Sequence, residues 1–176
     1  MTSTFQFVFD SSPLIAGCQF FVGNASVAES VLNGLNAVIP PAVFDEVVVR
    51  GGTRPDAREA ARIVTAGLVR VADAPAVGNI LDELKYYQLG LGEKEALTLV
   101  SRSSGSAILV TDDFLALITA GRLGLSATLF LDFIVERVRR GEIQRGHAER
   151  FVQALSSRYP QGFVPHTLDK IGRCAP

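Results

Sequence analysis

Ala107-Ile108-Leu109-Val110-Thr111 is a continuous apolar run that stops at two acids, Asp112 and Asp113. A short run of this kind suits a strand buried on both faces, as strands are in a parallel sheet. The rest of the chain agrees with that reading. Phe5-Gln6-Phe7-Val8-Phe9 alternates and is aromatic and β-branched, so it reads as a first strand. Residues 37–39 and 68–71 read as two more. Between the strands lie helical patterns. One starts at Ser12-Pro13, with serine as N-cap and proline at the first helical position. Others cover 25–35, 42–49 (opened by Pro41), 55–66, 80–88, 93–102, 114–120, 128–140 and 144–157. Strands alternating with helices imply an α/β fold with a parallel sheet covered on both faces. Neither an internal repeat nor a linker breaks the pattern. Residues 1–158 therefore read as one domain, and 159–176, rich in Pro and Gly, as a tail that wraps or frays.

Composition narrows the function classes. Of 176 residues 48% are apolar, enough for a substantial core. With 17 basic and 18 acidic residues there is no global cationic field, so nucleic-acid binding needs a local basic patch or bound cations. Cys18 and Cys174 form no C-x-x-C pair and read as one small buried thiol and one tail thiol in a reducing compartment. The first six residues lack a basic leader region, and no run reaches the roughly 18 apolar residues of a spanning helix. A soluble, cytoplasmic protein without a membrane partner is expected. Gly90-Leu91-Gly92 lacks the third glycine of a dinucleotide motif, and no Walker lysine motif occurs.

In open parallel sheets ligands bind beyond the carboxyl ends of the strands. Asp10 follows the first strand there, and Asp112-Asp113 follows the apolar one. Glu46 lies in the helix opened by Pro41, and Glu93 in the first turn after Gly92. Glu93 shares a helix face with Ala96, Leu97 and Val100, which puts it on the buried side, whereas Glu95, with Thr98 and Arg102, is expected to see water. Each acid also has a plain structural role open to it. Asp10, Asp112 and Asp113 can cap helices, Glu93 suits a helix N-terminus, and Asp45-Glu46 can be a solvated face. Gathered together, however, carboxylates cannot all stay ionised without a cation among them. Mg²⁺ or Mn²⁺, which prefer oxygen ligands, fit that set and activate water for attack on a phosphodiester. Such chemistry needs no histidine, and His147 and His166 come late in the chain. Arg137, Arg139 and Arg140 read as a solvated helix C-terminus in preference to an RNA grip, and Leu129, Phe133 and 135–138 as core or dimer interface.

Phe9-Asp10-Ser11-Ser12-Pro13-Leu14-Ile15 resembles the opening of PIN-domain proteins. Ile39-Pro40-Pro41-Ala42-Val43-Phe44-Asp45-Glu46-Val47, Leu91-Gly92-Glu93-Lys94-Glu95-Ala96-Leu97 and Leu109-Val110-Thr111-Asp112-Asp113 are similar to that family's next three acidic segments, in the same order. Gly124-Leu125-Ser126, Thr128-Leu129 and Arg140-Gly141-Glu142-Ile143 look like the branch related to VapC toxins. The resemblance covers about residues 5–145. It implies a three-layer α/β/α fold and a Mg²⁺- or Mn²⁺-dependent ribonuclease, with RNA as substrate. Asp10, Glu46, Glu93, Asp112 and Asp113 would be the metal ligands, with Ser11 beside them. A homodimer and an antitoxin protein are the implied partners. The chain departs from the pattern after Asp113, where relatives often carry arginine and this sequence has Phe114-Leu115-Ala116-Leu117. A PIN-like fold kept as a binding or regulatory module is the rival reading. Receiver and haloacid-dehalogenase-like patterns are absent.

Overall fold

The structure is a computed structural model and describes residues 5–74, 79–103 and 105–174. The expectation of no leader falls partly on residues 1–4, outside the described ones. β1 (Gln6–Phe9) occupies the middle of a five-stranded sheet, where its alternating aromatic and β-branched side chains meet cover on both sides. A separate antiparallel pair, β2 (Phe21–Val22) and β3 (Ala25–Ser26), turns at Gly23 with φ 66°. In the main sheet β1 runs parallel to β4 (Asn36–Ile39) on one side and β6 (Ala107–Thr111) on the other. β5 (Arg70–Val71) and β7 (Ala127–Leu129) close the edges, giving the order β5-β4-β1-β6-β7 with every pairing parallel.

The period of two along each strand divides the apolar side chains between two cores. Phe7, Phe9, Ala37, Ile39 and Val110 enter one; Val8, Val38, Ala107 and Leu109 enter the other. The first core is covered by α1 (Ser11–Gln19), α2 (Val27–Leu32), α4 (Pro55–Thr65), α8 (Phe130–Arg139), α9 (Arg145–Ala154) and α10 (Phe163–Gly172). They contribute Leu14, Val31, Ile63, Ile134, Phe151 and Ile171. α3 (Pro41–Phe44) runs into a π-helical turn, Asp45–Val49, and adds Val43 and Val47. The second core is covered by α5 (Asn79–Leu84), α6 (Leu91–Arg102) and α7 (Phe114–Arg122). Leu84, Leu97 and Ala120 belong to it. The result is three layers, α/β/α, as the alternation of strands and helices requires. From β1 the chain builds outward through β4 to β5 and then returns to the far side of β1 as β6. The order of strands therefore reverses between β1 and β6, and a crevice opens at their carboxyl ends.

Several boundaries differ from the expectations. Residues 25–35 do not form one helix: Ala25 and Ser26 pair with the preceding strand, and Ser26 caps the short α2 by accepting from the Glu29 N–H at 3.0 Å. The stretch expected as helix 128–140 begins as a strand, because Ala127–Leu129 completes the edge beside β6 and is only half-buried. The strand expected at 68–71 is shortened to two residues. Residues 159–176 carry α10, which packs against α8 and α9 and buries Thr167 and Ile171. Cys18 and Cys174 are both buried and free, Cys174 against this C-terminal helix.

Arg137 corrects the reading of the basic end of α8. It is 6% exposed and reaches the end of α2, where its guanidinium donates to the carbonyl oxygens of Val31 and of Asn33 (3.3 Å for the latter). Its Nε meets Glu142 at 2.8 Å. Only Arg139 and Arg140 are solvated, paired with Glu136. The planar fork satisfies carbonyls that the short α2 leaves without helical partners. Phe133, Val135 and Val138 on the same helix are core. Arg137→Ala should lower unfolding free energy by about 2–3 kcal/mol in urea titrations. Arg137→Lys should restore only part of it, since an ammonium cannot reproduce the fork.

Candidate active site

Asp10 ends β1 and is the N-cap of α1, its backbone extended (φ −82°, ψ 171°). One carboxylate oxygen accepts from the Ser11 N–H at 2.7 Å, and the other from the Thr111 hydroxyl at 2.9 Å. The N-cap is thus Asp10 and not Ser12, and Pro13 stands two residues further in. The capping role is real, but the bond to β6 exceeds it and fastens the two strand ends together. Asp10 is 4% exposed. Burial pushes its carboxyl up to about 6, against the lowering effect of the Ser11 and Thr111 bonds; the nearby charges of Glu93 and Glu46 push further in the same direction.

Glu46 sits in the π-helical turn and accepts from the Ser11 hydroxyl at 2.7 Å. Such turns are frequent at functional sites, because the extra residue re-aims a side chain. Glu93, in the first turn of α6, bends back to accept from the Gly90 N–H at 2.5 Å. Its carboxyl is also raised, first by burial, and further by the charges of Asp113 and Glu46. Gly92 permits the close approach of this turn to α3. A Cβ there would stand 3.0 Å from Val43 and 3.7 Å from both the Glu46 carboxylate and the Ser11 hydroxyl. The glycines therefore serve helix packing and capping at an acidic cleft.

Asp112 and Asp113 part company. Asp113 caps α7 by accepting from the Ala116 N–H at 2.7 Å, and its own N–H donates to Thr111 at 3.0 Å. Its charge is felt by Glu93. Asp112 faces away from the other acids. It accepts from the Phe130 N–H at 3.2 Å and from the Tyr159 hydroxyl at 2.6 Å. Its carboxyl is raised by burial, with both hydrogen bonds acting the other way.

The structure thus brings Asp10, Ser11, Glu46, Glu93 and Asp113 to one crevice and leaves Asp112 on its flank. A small cavity of about 160 Å³ lies against Asp10, Ser11, Ser12, Glu46, Gly92 and Glu93. It is the size of an ion with a few waters, well below the roughly 300 Å³ where small-molecule pockets begin. As their side chains stand, no three Asp, Glu, His or Cys among the described residues converge closely enough to hold a metal ion between them. Glu46 and Glu93 are engaged by Ser11 and Gly90 instead. The donor set is nonetheless all hard oxygen. Among the causes that shift Asp10 and Glu93, the one cation is Lys94, acting weakly on Glu93. Net negative charge with a cavity beside it suits a hydrated divalent ion, which takes one or two carboxylates and keeps its waters.

Two residues of the site were not foreseen from sequence. Thr111 is fully buried, and it is the polar end of an apolar strand, which obliges its hydroxyl to find a partner. Glu95 does not simply see water. It accepts from the Ala42 N–H at 2.8 Å and so anchors the helix that carries Glu46. The signal was Pro41, which leaves Ala42 as an unpaired donor at the helix start.

The family model described as a PIN domain matches residues 6–167. The chain belongs to the PIN-domain family. PIN domains are generally nucleases and usually use divalent metals, and the three-layer fold of this chain is of that type. No curated protein and no solved structure is matched. Among the described residues no helix is long and apolar enough to cross a membrane.

Asp10 makes stability depend on pH. A carboxyl that titrates near 6 when folded and near 3.8 when unfolded favours folding while protonated, below about 4; that contribution of about 3 kcal/mol is lost as pH rises through 6. In EDTA, Asp10→Asn should therefore gain on the wild type in melting temperature between pH 4.5 and 7.5. A constant difference across that range would show that the buried carboxyl does not titrate there.

Proposed function

We propose that this PIN domain is a Mg²⁺- or Mn²⁺-dependent endoribonuclease that hydrolyses phosphodiesters at the crevice between β1 and β6. The observation that carries the reading is Asp10, a carboxylate buried at the switch point with the charges of Glu93 and Glu46 acting on it. Asp10, Glu46, Glu93 and Asp113 are the residues that would hold the ion. A divalent ion there would supply Lewis-acid activation of water and neutralise charge building on the phosphodiester. The protein's own part is to keep Asp10 ionised through the Ser11 N–H and the Thr111 hydroxyl, and to orient Glu46 through Ser11. Asp112 positions the flank of the site through Tyr159. The likeness of residues 124–143 to the VapC branch supports a toxin role, with an antitoxin and a second copy of the chain as partners.

A second reading is favoured by one observation. Glu46 and Glu93 are already hydrogen-bonded by the protein, so the cleft is satisfied without an ion to the extent expected of a catalytically weak binding module.

Purified protein should cut mixed single-stranded RNA with Mn²⁺ or Mg²⁺, and neither EDTA-treated protein nor Asp10→Asn should do so. The same ions should raise the melting temperature of the wild type far more than that of Asp10→Asn. Folded, partner-free protein that binds RNA yet never cuts it would favour the binding module.

A further inference from the structure

Beside the acid crevice lies a larger hollow of about 550 Å³. Ser12 lines both spaces, so the two are neighbours at the start of α1. Asp112 forms part of its floor, and Tyr159, held by Asp112, part of its wall. The remaining walls carry Phe114 from α7, Phe163 from α10 and Arg158. Phe114 and Phe163 are 69% and 47% exposed, unusual values for phenylalanine. Among the described residues neither ring stacks on another aromatic ring. Arg158 is exposed and makes no ion pair among the described residues, although the charge of Asp112 is near it. Lys170, also on the wall, is already paired with Asp132 at 2.7 Å.

Bare aromatic faces with an unpaired guanidinium, next to a phosphodiester-cutting cleft, match the chemistry of an unstacked nucleotide. Bases stack on exposed rings without regard to sequence, and backbone phosphates seek cations. The volume suits one nucleotide or a little more. An apolar peptide would use the rings but leave Arg158 unanswered, whereas a nucleotide uses both.

Resting on the nuclease reading above, we propose that this hollow seats one unpaired nucleotide of single-stranded RNA next to the phosphate to be cut. Its base stacks on Phe114 and Phe163, and its phosphate meets Arg158. The hollow thereby makes the enzyme selective for unpaired RNA, since a base within a duplex cannot turn into it.

The test uses the full chain and a fluorescein-labelled RNA 12-mer without secondary structure. Binding is read by anisotropy in EDTA, where no cutting occurs, and cleavage by single turnover in Mn²⁺. Phe114→Ala with Phe163→Ala should weaken binding about tenfold or more, and Phe114→Trp should retain it. Arg158→Ala should lower the slope of log affinity against log salt by about one. Replacing one base of the RNA by an abasic sugar at successive positions should weaken wild-type binding at one position beside the cut. The double alanine variant should not register that position. All three side chains are exposed, and unchanged melting temperatures would confirm that folding is intact. Cutting that proceeds with affinity, salt slope and abasic profile unchanged in these variants would overturn the hollow and leave the nuclease standing. Loss of a dimer in the variants with RNA affinity unchanged would likewise overturn it, in favour of a protein interface. RNA binding with the expected sensitivities but no cutting would uphold the hollow and overturn the nuclease reading.

Discussion

The bond between the Thr111 hydroxyl and Asp10 joins the two strand ends on either side of the point where the order of strands reverses. Much of the site follows from it. A carboxylate at that position is almost shut from water, only 4% exposed, so it must be hydrogen-bonded to remain ionised near neutrality. Ser11 N–H and Thr111 hydroxyl supply those bonds, and Thr111 in turn receives the Asp113 N–H. Asp10, Thr111 and Asp113 therefore form one connected set. Displacing any of them moves two acids and the starts of two helices together.

The centre of the sheet that holds this set is stable because neither of its faces is wet. Alternate residues of β1, β4 and β6 feed different cores, so the strands cannot slip by one residue without exchanging Phe7 and Phe9 for Val8. Register at the centre of the sheet thus fixes the height of Asp10 relative to Asp113. Other elements lie outside this frame: the two-residue edge strand β5, the small β2–β3 pair, and the first turn of α6, which approaches α3 closely at Gly92 and is tied to it by Glu95 reaching Ala42.

Strong local signals were legible in the sequence. The apolar run before Asp112 and the alternation before Asp10 placed both central strands, and the order of acidic segments placed four of the acids at one end of the sheet. What escaped was decided by tertiary contact. Ala127–Leu129 is too short to show a period, and it becomes a strand only because β6 offers an edge. Ala25 and Ser26 have a helical pattern after them but a strand partner before them. Arg137 cannot be told from Arg139 or Arg140 by charge alone, and only the unpaired carbonyls of α2 separate it. Glu93 and Glu95 are both half-buried; Glu93 lines the small cavity, and Glu95 has a partner 53 residues earlier that no local pattern reveals.

Asp112 and Asp113 show how adjacency in sequence can mean separation in function. Backbone leaving a strand is still extended, so neighbouring side chains diverge. Asp113 caps α7 with its charge acting on Glu93, and Asp112 turns to Phe130 and Tyr159 on the other flank. Had both joined the acid crevice, a further negative charge would have been added where Asp10 and Glu93 already titrate high. Asp112 in the crevice would also have cost the segment after α9 the tie of the Tyr159 hydroxyl to this strand end. The pair thus fastens the C-terminal helices to the same strand end that carries the acids, and residues past 145 become a wall of the site instead of an appendage to it.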